Sequence, residues 1–455
     1  MDITRIVEEQ RSFFNTGITR DYEYRMEMLG RLEKAVKENE QAICDALRED
    51  LHRTDNESYM AEIGPVLSEI RYHKKHLKKW MDSRHVLTGL VQMPGRSRII
   101  PEPYGLVLIV SPWNYPFNMC FQALTGAISA GNCAVIKPSS YAPASSHVIA
   151  DICRNTFDSA YVTVIEGGRR ENAALFDQRF DSIFFTGSVS VGKTVLEAAA
   201  KNLTPVTLEL GGKSPVIIDE SADIRLAARR VMFGKVLNAG QTCIAPDYVM
   251  IAESKKDEFV EECRKALERF FPDGDYSGMP SIINEKHVAR LAGLIEKEKA
   301  VIGGSVDADS RIIEPTVMTD ITYDSPSMQE EIFGPLLPVM TYPDGDIESC
   351  IRFINSREKP LALYLFTRDK EVKKKVFACC SFGGGCVNDV IMHMVSHSMP
   401  FGGVGSSGMG SYHGKQSFDT FTHYRSILES GSLIDLPLRY RPYTKAKNTL
   451  IRKAF

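Results

Sequence analysis

Between Gly105 and Gly212, short apolar runs alternate with helical stretches. That alternation constrains the fold more than any other feature of the chain. GLVLIVS (Gly105 to Ser111) is too short for a helix and rich in branched residues, so it predicts a buried strand. FQALTGAISAG predicts a helix stopped at Gly131, CAVIKPS a strand and SSHVIADICRN a helix. YVTVIEG and SIFFTG follow as strands, VGKTVLEAAAKN as a helix and VTLELGG as a strand. Strands buried on both faces and separated by helices build a parallel sheet, and ligands of such sheets sit beyond the carboxyl ends of the strands. The loops after Val110, Ile136, Ile165 and Phe185 are rich in Gly, Pro, Ser or Lys, and they are expected to line one crevice.

Residues 1 to about 85 read as helical, with apolar residues at three- and four-residue spacing from Arg25 to Leu47. A second alternating block opens near Ser214, with strands SPVIIDE, YVMIAES, PLLPVMTY and LALYLFT and an amphipathic helix KKDEFVEECRKALERFF. Two successive α/β units in 455 residues predict two domains with a cleft between them.

Composition narrows the function. Apolar residues make up 43% of the chain, enough for large cores, and the net charge of −3 gives no electrostatic reason to expect nucleic acid. Ten cysteines show no CxxC spacing and no Cys/His cluster, so free thiols in a reducing cytosol are expected and no metal site. His393 and His397 lie in one loop without a carboxylate or Cys spaced with them, which reads as a solvated or substrate-lining loop. The start MDITRIVEEQRSFF lacks the apolar stretch of a signal peptide, and no run is long enough to span a bilayer. The basic stretch from Arg439 to Phe455 reads as a tail packed on the domain or on a partner subunit.

Five segments carry chemistry: SPWNYPF with Asn114, VIKPSS with Lys137, TGSVSVGK from Thr186 to Lys193, LELGGKSP with Glu209, and NAGQTCIAPD with Cys243. Cys243 follows polar Asn238, Gln241 and Thr242 and the small Gly240, which are poor core neighbours and good site neighbours. A nucleophilic thiol must be easy to deprotonate or have a base nearby. Glu209 sits inside an apolar strand, where a carboxylate is costly unless used or paired; burial should raise its pKa toward neutrality, as a general base needs. A structural ion pair is the other reading of Glu209. Gly187 and Gly192 flank a strand-to-helix turn whose N–H groups suit a pyrophosphate, although an ordinary turn explains them equally well.

In order and spacing these segments resemble the aldehyde dehydrogenase superfamily over nearly the whole chain. ELGGKSP and GQTC, with Glu209 and Cys243 34 residues apart, carry the resemblance, as do QEEIFGP (Gln329 to Pro335) and PFGGVGSSGMG (Pro400 to Gly410). FFNTGITR, GQTCIAPDYV and GGCVNDVIMH are similar to the class 3 branch. The resemblance implies a Rossmann-type dinucleotide domain (1–84 and 105–208), an α/β catalytic domain (209–394), a β oligomerisation arm (85–104 and 395–435) and a tail (436–455). It implies a homodimer, an aldehyde substrate and NAD or NADP as cofactor. It also implies Cys243 as nucleophile, Asn114 with the Cys243 N–H as oxyanion hole, and Glu209 as the base for water. Lys137 would bind the adenine ribose, and Gly187, Ser188 and the turn to Gly192 the pyrophosphate. Val191 would pack on the adenine. Glu331 would hold the nicotinamide ribose with Phe333 behind it, and Trp113 would line the pocket. Tyr115, Asn118, Leu237 and Ile391 are candidate substrate contacts, implied less directly.

The family's usual Glu after KPS or KPA is Ser140 here. A Glu repels a 2′-phosphate and a Ser does not, so NADP is expected to serve at least as well as NAD. Two further activities fit the same thiol: transfer of the acyl group to CoA, and ester hydrolysis without redox. CoA-acylating members generally lack the base at Glu209. A hydrolase leaves Lys137, Glu331 and the glycine turn unexplained.

Overall fold

The computed structural model describes residues 2–454. Its first sheet has six strands in the order Gly408–Met409, Val206–Leu210, Ser182–Gly187, Leu106–Val110, Cys133–Lys137, Val162–Val164. All neighbours are parallel except Gly408–Met409, which runs antiparallel to Val206–Leu210. Leu106–Val110 and Cys133–Lys137 are buried at every position, because helices cover both faces. Between them runs the helix Pro116–Ala130, itself buried throughout. It opens with proline, whose missing N–H costs nothing in a first turn, and stops at Gly131 in the left-handed region (φ 89°). A Cβ on Gly131 would stand 2.5 Å from the Arg25 guanidinium, which is buried there and donates to the Ser129 and Thr19 carbonyls.

The second sheet has seven strands in the order Ala300–Ile302, Thr316–Met318, Leu336–Tyr342, Tyr248–Ala252, Pro215–Ile218, Ala362–Phe366, Gly384–Val387, parallel apart from Ala300–Ile302. Side chains along its central strands alternate between two cores. Val216, Ile218, Val249 and Ile251 join the main core, which continues into the first sheet. Ile217, Tyr248, Met250 and Leu363 form a separate core on the opposite face. Each such aliphatic side chain contributes about 1.5–3 kcal/mol of burial.

A third sheet is an antiparallel arm of Arg84–Val86, Arg96–Pro103 and Thr422–Glu429, with Thr422 opposite Pro103 and Glu429 opposite Arg96. The stretch 395–435 therefore divides. Before Thr422 it packs on the main body, through Gly408–Met409 in the first sheet and the helix Lys415–Thr420 against Pro116–Ala130. Only from Thr422 onward does it lie in the arm. The helix Lys445–Ala454 has no buried residue. No helix among the described residues is long and apolar enough to cross a membrane.

Candidate active site

The loop before Cys243 is held in an unusual conformation. The helix Ile224–Val236 runs into the turn Leu237–Gly240, where Asn238, Ala239 and Gly240 all take positive φ (50°, 50° and 69°). Left-handed backbone costs roughly 1–2 kcal/mol for a residue such as alanine, so the surroundings must hold it. A Cβ on Gly240 would meet the Gly334 carbonyl oxygen at 2.3 Å, and only glycine fits. Gln241 is buried and acts as a strut: its Nε2 donates to the Asn238 and Ser281 carbonyls (3.1 and 3.0 Å), and its Oε1 accepts from the Ile283 N–H (3.0 Å). On the far side of the nucleophile, the Tyr364 hydroxyl donates to the Ile244 carbonyl at 2.6 Å. Asn238 and Gln241 are thus spent on shaping the loop, rather than facing the site as their polarity alone suggests.

Asn114 follows the strand Leu106–Val110 and is buried. Its Nδ2 donates to the Gln241 carbonyl at 3.0 Å, so the Asn114 loop and the Cys243 loop are joined directly. A side-chain amide has two N–H groups, and one is committed to this bond. The Tyr115 hydroxyl makes a second tie, to Thr242 Oγ1 at 2.6 Å. Asn118 is turned away, its amide donating to the Ala61 carbonyl.

Glu209 lies in Val206–Leu210, opposite Gly408 and Thr186 on its two neighbours. It is 3% exposed, and neither carboxylate oxygen has a hydrogen-bond partner among the described residues. Burial holds its pKa well above the usual carboxylate range. No ion pair among the described residues accounts for it. Cys243 is partly exposed, and its thiol is pushed up to about 12 by desolvation first, then by the fields of Glu331 and Glu209. Its own N–H and that of Ile244 pull the other way by hydrogen bonding. Cys243 therefore senses both carboxylates.

The other predicted residues gather at the carboxyl ends of the first sheet. Lys137 is buried, with Nζ donating to the Pro138 carbonyl at 2.6 Å. Ser188 caps the helix Val189–Ala200 by accepting from the Val191 N–H, and Val191 stays exposed at the helix start. A Cβ on Gly192 would lie 2.8 Å from Leu210, which keeps this helix close to the sheet. The Glu331 carboxylate occupies the space above Gly211, where the neighbouring Gly212 backbone favours its charged form. The Trp113 and Phe333 rings meet edge to face at 5.4 Å. Buried lysine, exposed valine, capped helix start and a carboxylate on a glycine pair fit the parts of a dinucleotide. Ser140 is exposed, its Oγ 3.8 Å from where a Cβ on Gly168 would be. Gly168 caps the helix Arg169–Phe176 and donates its N–H to the Glu171 carboxylate at 2.7 Å, so the exposed Arg169 and Arg170 and the acidic Glu171 follow directly from it.

Of the two loop histidines, His397 bonds the buried Glu69 (2.7 Å) and Ser68 (2.8 Å) and stacks on Tyr72. His393 sits against Cys386, its pKa lowered to about 4 by burial. No group of three or more His, Cys, Asp or Glu among the described residues is placed to hold a metal.

A cluster that sequence reading missed lies under the Asn114 loop: Arg53, Glu57 and Glu62. Arg53 and Glu62 are entirely buried and paired at 2.5 Å. Charges in a helical N-terminal region look like a solvated face. A π-helical turn at Tyr59–Ile63, set between the helices Asp55–Ser58 and Gly64–Met81, marks the place, and that is invisible in sequence.

The sequence model of the aldehyde dehydrogenase family matches residues 1–427. The chain belongs to the aldehyde dehydrogenase family. It is 47% identical to a 4,4′-diaponeurosporen-aldehyde dehydrogenase of Staphylococcus aureus, over 98% of both chains. It is 44% identical to a dimeric, NADP-preferring aldehyde dehydrogenase of the dog, over 98% of this chain and 99% of the relative. A solved structure of S. aureus AldH in a substrate-bound state superposes with a TM-score of 0.97 at 46% identity, covering 100% of this chain and 99% of the other. This aldehyde dehydrogenase has the fold expected from the resemblance, and its activity is NAD(P)-dependent oxidation of an aldehyde.

Proposed function

We propose that Cys243, Asn114 and Glu209 carry this oxidation and release the product as a carboxylic acid. The observation that carries the reading is the 3.0 Å bond from the Asn114 amide to the Gln241 carbonyl, two residues before a thiol that also senses Glu209. The Cys243 thiol gives up its proton to water, and Sγ adds to the aldehyde carbon as the carbonyl π electrons move onto oxygen. The remaining Asn114 N–H and the Cys243 backbone N–H take the developing oxyanion, each such donor contributing about 3–4 kcal/mol in hydrolases. Bound dinucleotide supplies the acceptor for the aldehyde hydride. Glu209, once ionised, removes a proton from water, the hydroxide attacks the thioester carbon, and the Cys243–carbon bond breaks. Lys137, Gly187, Ser188, Val191, Gly192, Trp113, Glu331 and Phe333 hold the dinucleotide in this reading. Ser140 with Arg169 and Arg170 makes NADP at least as good a cofactor as NAD.

A pocket of about 260 Å³ opens beside the turn that leads to Cys243; Met60, Phe233, Val236, Leu237, Phe271 and Met279 make most of its wall, with Thr54, Asn56 and Glu57 on one side, and the balance favours an aldehyde with an apolar body. Residues 1–84 and 105–208 serve as the dinucleotide domain, 209–394 as the catalytic domain, 436–455 as a tail, and the arm sheet, which apart from Arg84 falls within 85–104 and 395–435, as the oligomerisation element of a homodimer. The exposed Tyr424 and Leu428 on the arm strand support the dimer, and ten unpaired thiols suit a cytoplasmic setting. The test is a panel of aldehydes read by absorbance of reduced cofactor, with light scattering for the subunit count. Cys243→Ala should abolish turnover, and turnover retained in that variant would overturn the reading.

A further inference from the structure

Arg53 makes four contacts, all to the two loops that meet at the site or to what supports them. One guanidinium nitrogen donates to the Asn114 carbonyl and another to Glu62 at 2.5 Å; Nε donates to Asn238 Oδ1 at 3.0 Å; and the plane lies over the Tyr115 ring at 4.6 Å. Asn238 completes the knot. Its Nδ2 donates to the Asn114 carbonyl (2.9 Å) and to the Gln241 carbonyl (3.0 Å), the atom that the Asn114 amide also bonds. Glu62 turns its second oxygen to the Asn118 N–H at 2.6 Å, in the first turn of the helix that follows Asn114. Glu57 accepts from the Asn238 N–H at 2.7 Å, within the left-handed turn.

We infer that Arg53 is a positioning residue, which sets the Asn114 amide relative to the Cys243 loop and so builds the oxyanion hole. This rests on the proposed role of Asn114. Arg53 is not needed to neutralise a surface, since it is buried and touches no solvent. Its planar fork reaches the Asn114 carbonyl, Asn238 and Glu62 at once. A lysine ammonium at the same place keeps the charge but lacks the fixed geometry to hold all three. A misplacement of the order of 1 Å is enough to cost about a hundredfold in rate.

The test is a double-mutant cycle on kcat for a good aldehyde at saturating cofactor. Arg53→Lys should lower kcat about 10- to 100-fold, with the KM for dinucleotide within about threefold of wild type. In the Asn114→Ala background, the same change should cost less than about twofold, because the group it positions is gone. Asn238→Asp tolerates the left-handed turn and keeps an acceptor for Arg53, but loses both Nδ2 bonds. It should show the same signature, and it stands in if Arg53→Lys does not fold. Losses that multiply in the Asn114→Ala background would overturn the role of Arg53, as would unchanged kcat in both Arg53→Lys and Asn238→Asp. Unchanged kcat in Asn114→Ala alone would instead overturn the oxyanion role of Asn114.

Discussion

The Glu331 carboxylate lies where a side chain on Gly211 would begin: a Cβ there would stand 2.0 Å from Glu331 Oε2. The first glycine of ELGGKSP is thus tied to the QEEIFGP segment by a space requirement. The obstructing atom is the end of a flexible side chain, so Gly211→Ala should fold and displace Glu331. The expected outcome is a rise of about tenfold or more in KM for the dinucleotide, with Cys243 still titrated by alkylating reagents. Steady-state kinetics with both cofactors checks it. An unchanged KM would remove Glu331 from cofactor binding.

Glu209 is buried, has no hydrogen-bond partner among the described residues and has its pKa held well above the usual carboxylate range by burial, so two outcomes follow from Glu209→Gln. Deacylation should slow by two orders of magnitude or more while a first-turnover burst of reduced cofactor survives. Loss of the burst would assign Glu209 to activation of the thiol instead. The second outcome concerns stability. A carboxyl whose folded pKa is raised binds its proton more tightly in the native state. Between the unfolded value near 4.3 and the higher folded value, the native state holds one proton more, so stability falls as pH rises, by at most about 1.4 kcal/mol per pH unit. Glutamine carries no such liability. The variant should melt above wild type at pH 8 and converge with it near pH 4, as scanning calorimetry can show.

The parallel strands were legible because Leu106–Val110 and Cys133–Lys137 are apolar at every position, and the stop at Gly131 because left-handed backbone selects glycine. Gly408–Met409 was not legible. A two-residue strand in a glycine-rich loop has no periodicity, and it is defined by Glu209 and Leu208 across from it. Cys243 and Glu209 stood out as residues in costly or unusual settings, whereas Asn114 taken alone reads as a turn residue and drew its role from the family resemblance. Arg53 and Glu62 did not, because a charge pair that cancels in the interior looks the same in sequence as one in water.

Ser140 is exposed beside Gly168, so position 140 itself carries no carboxylate against a 2′-phosphate; Arg169 and Arg170 follow Gly168, and Glu171 bonds the Gly168 N–H at 2.7 Å. Restoring a carboxylate with Ser140→Glu should lower kcat/KM for NADP about tenfold or more and leave NAD within about threefold. Like charges a few ångströms apart near a surface repel by about 1–4 kcal/mol, and tenfold is about 1.4 kcal/mol. Arg169→Ala with Arg170→Ala should lower NADP use alone. A strong NAD preference in wild type that Ser140→Glu does not alter would overturn the assignment.

With its pKa near 12, the Cys243 thiol is almost wholly protonated at pH 7 in the free enzyme. Iodoacetamide reacts with the thiolate, so the alkylation rate should rise about tenfold per pH unit from pH 7 to 10 without levelling. Glu331 bends this line in a definite direction. Burial, with Asp247 adding to it, raises Glu331 to about 8, so below pH 7 it is neutral and exerts little field on the sulfur. Above pH 8 it is charged and opposes formation of the thiolate. Glu331→Gln should therefore alkylate at the wild-type rate below pH 7 and faster than wild type above pH 8. A stopped-flow pH series on both proteins decides it: a plateau below pH 9 in wild type, or a Glu331→Gln curve that lies lower at alkaline pH, would show that desolvation and these carboxylates do not set the thiol.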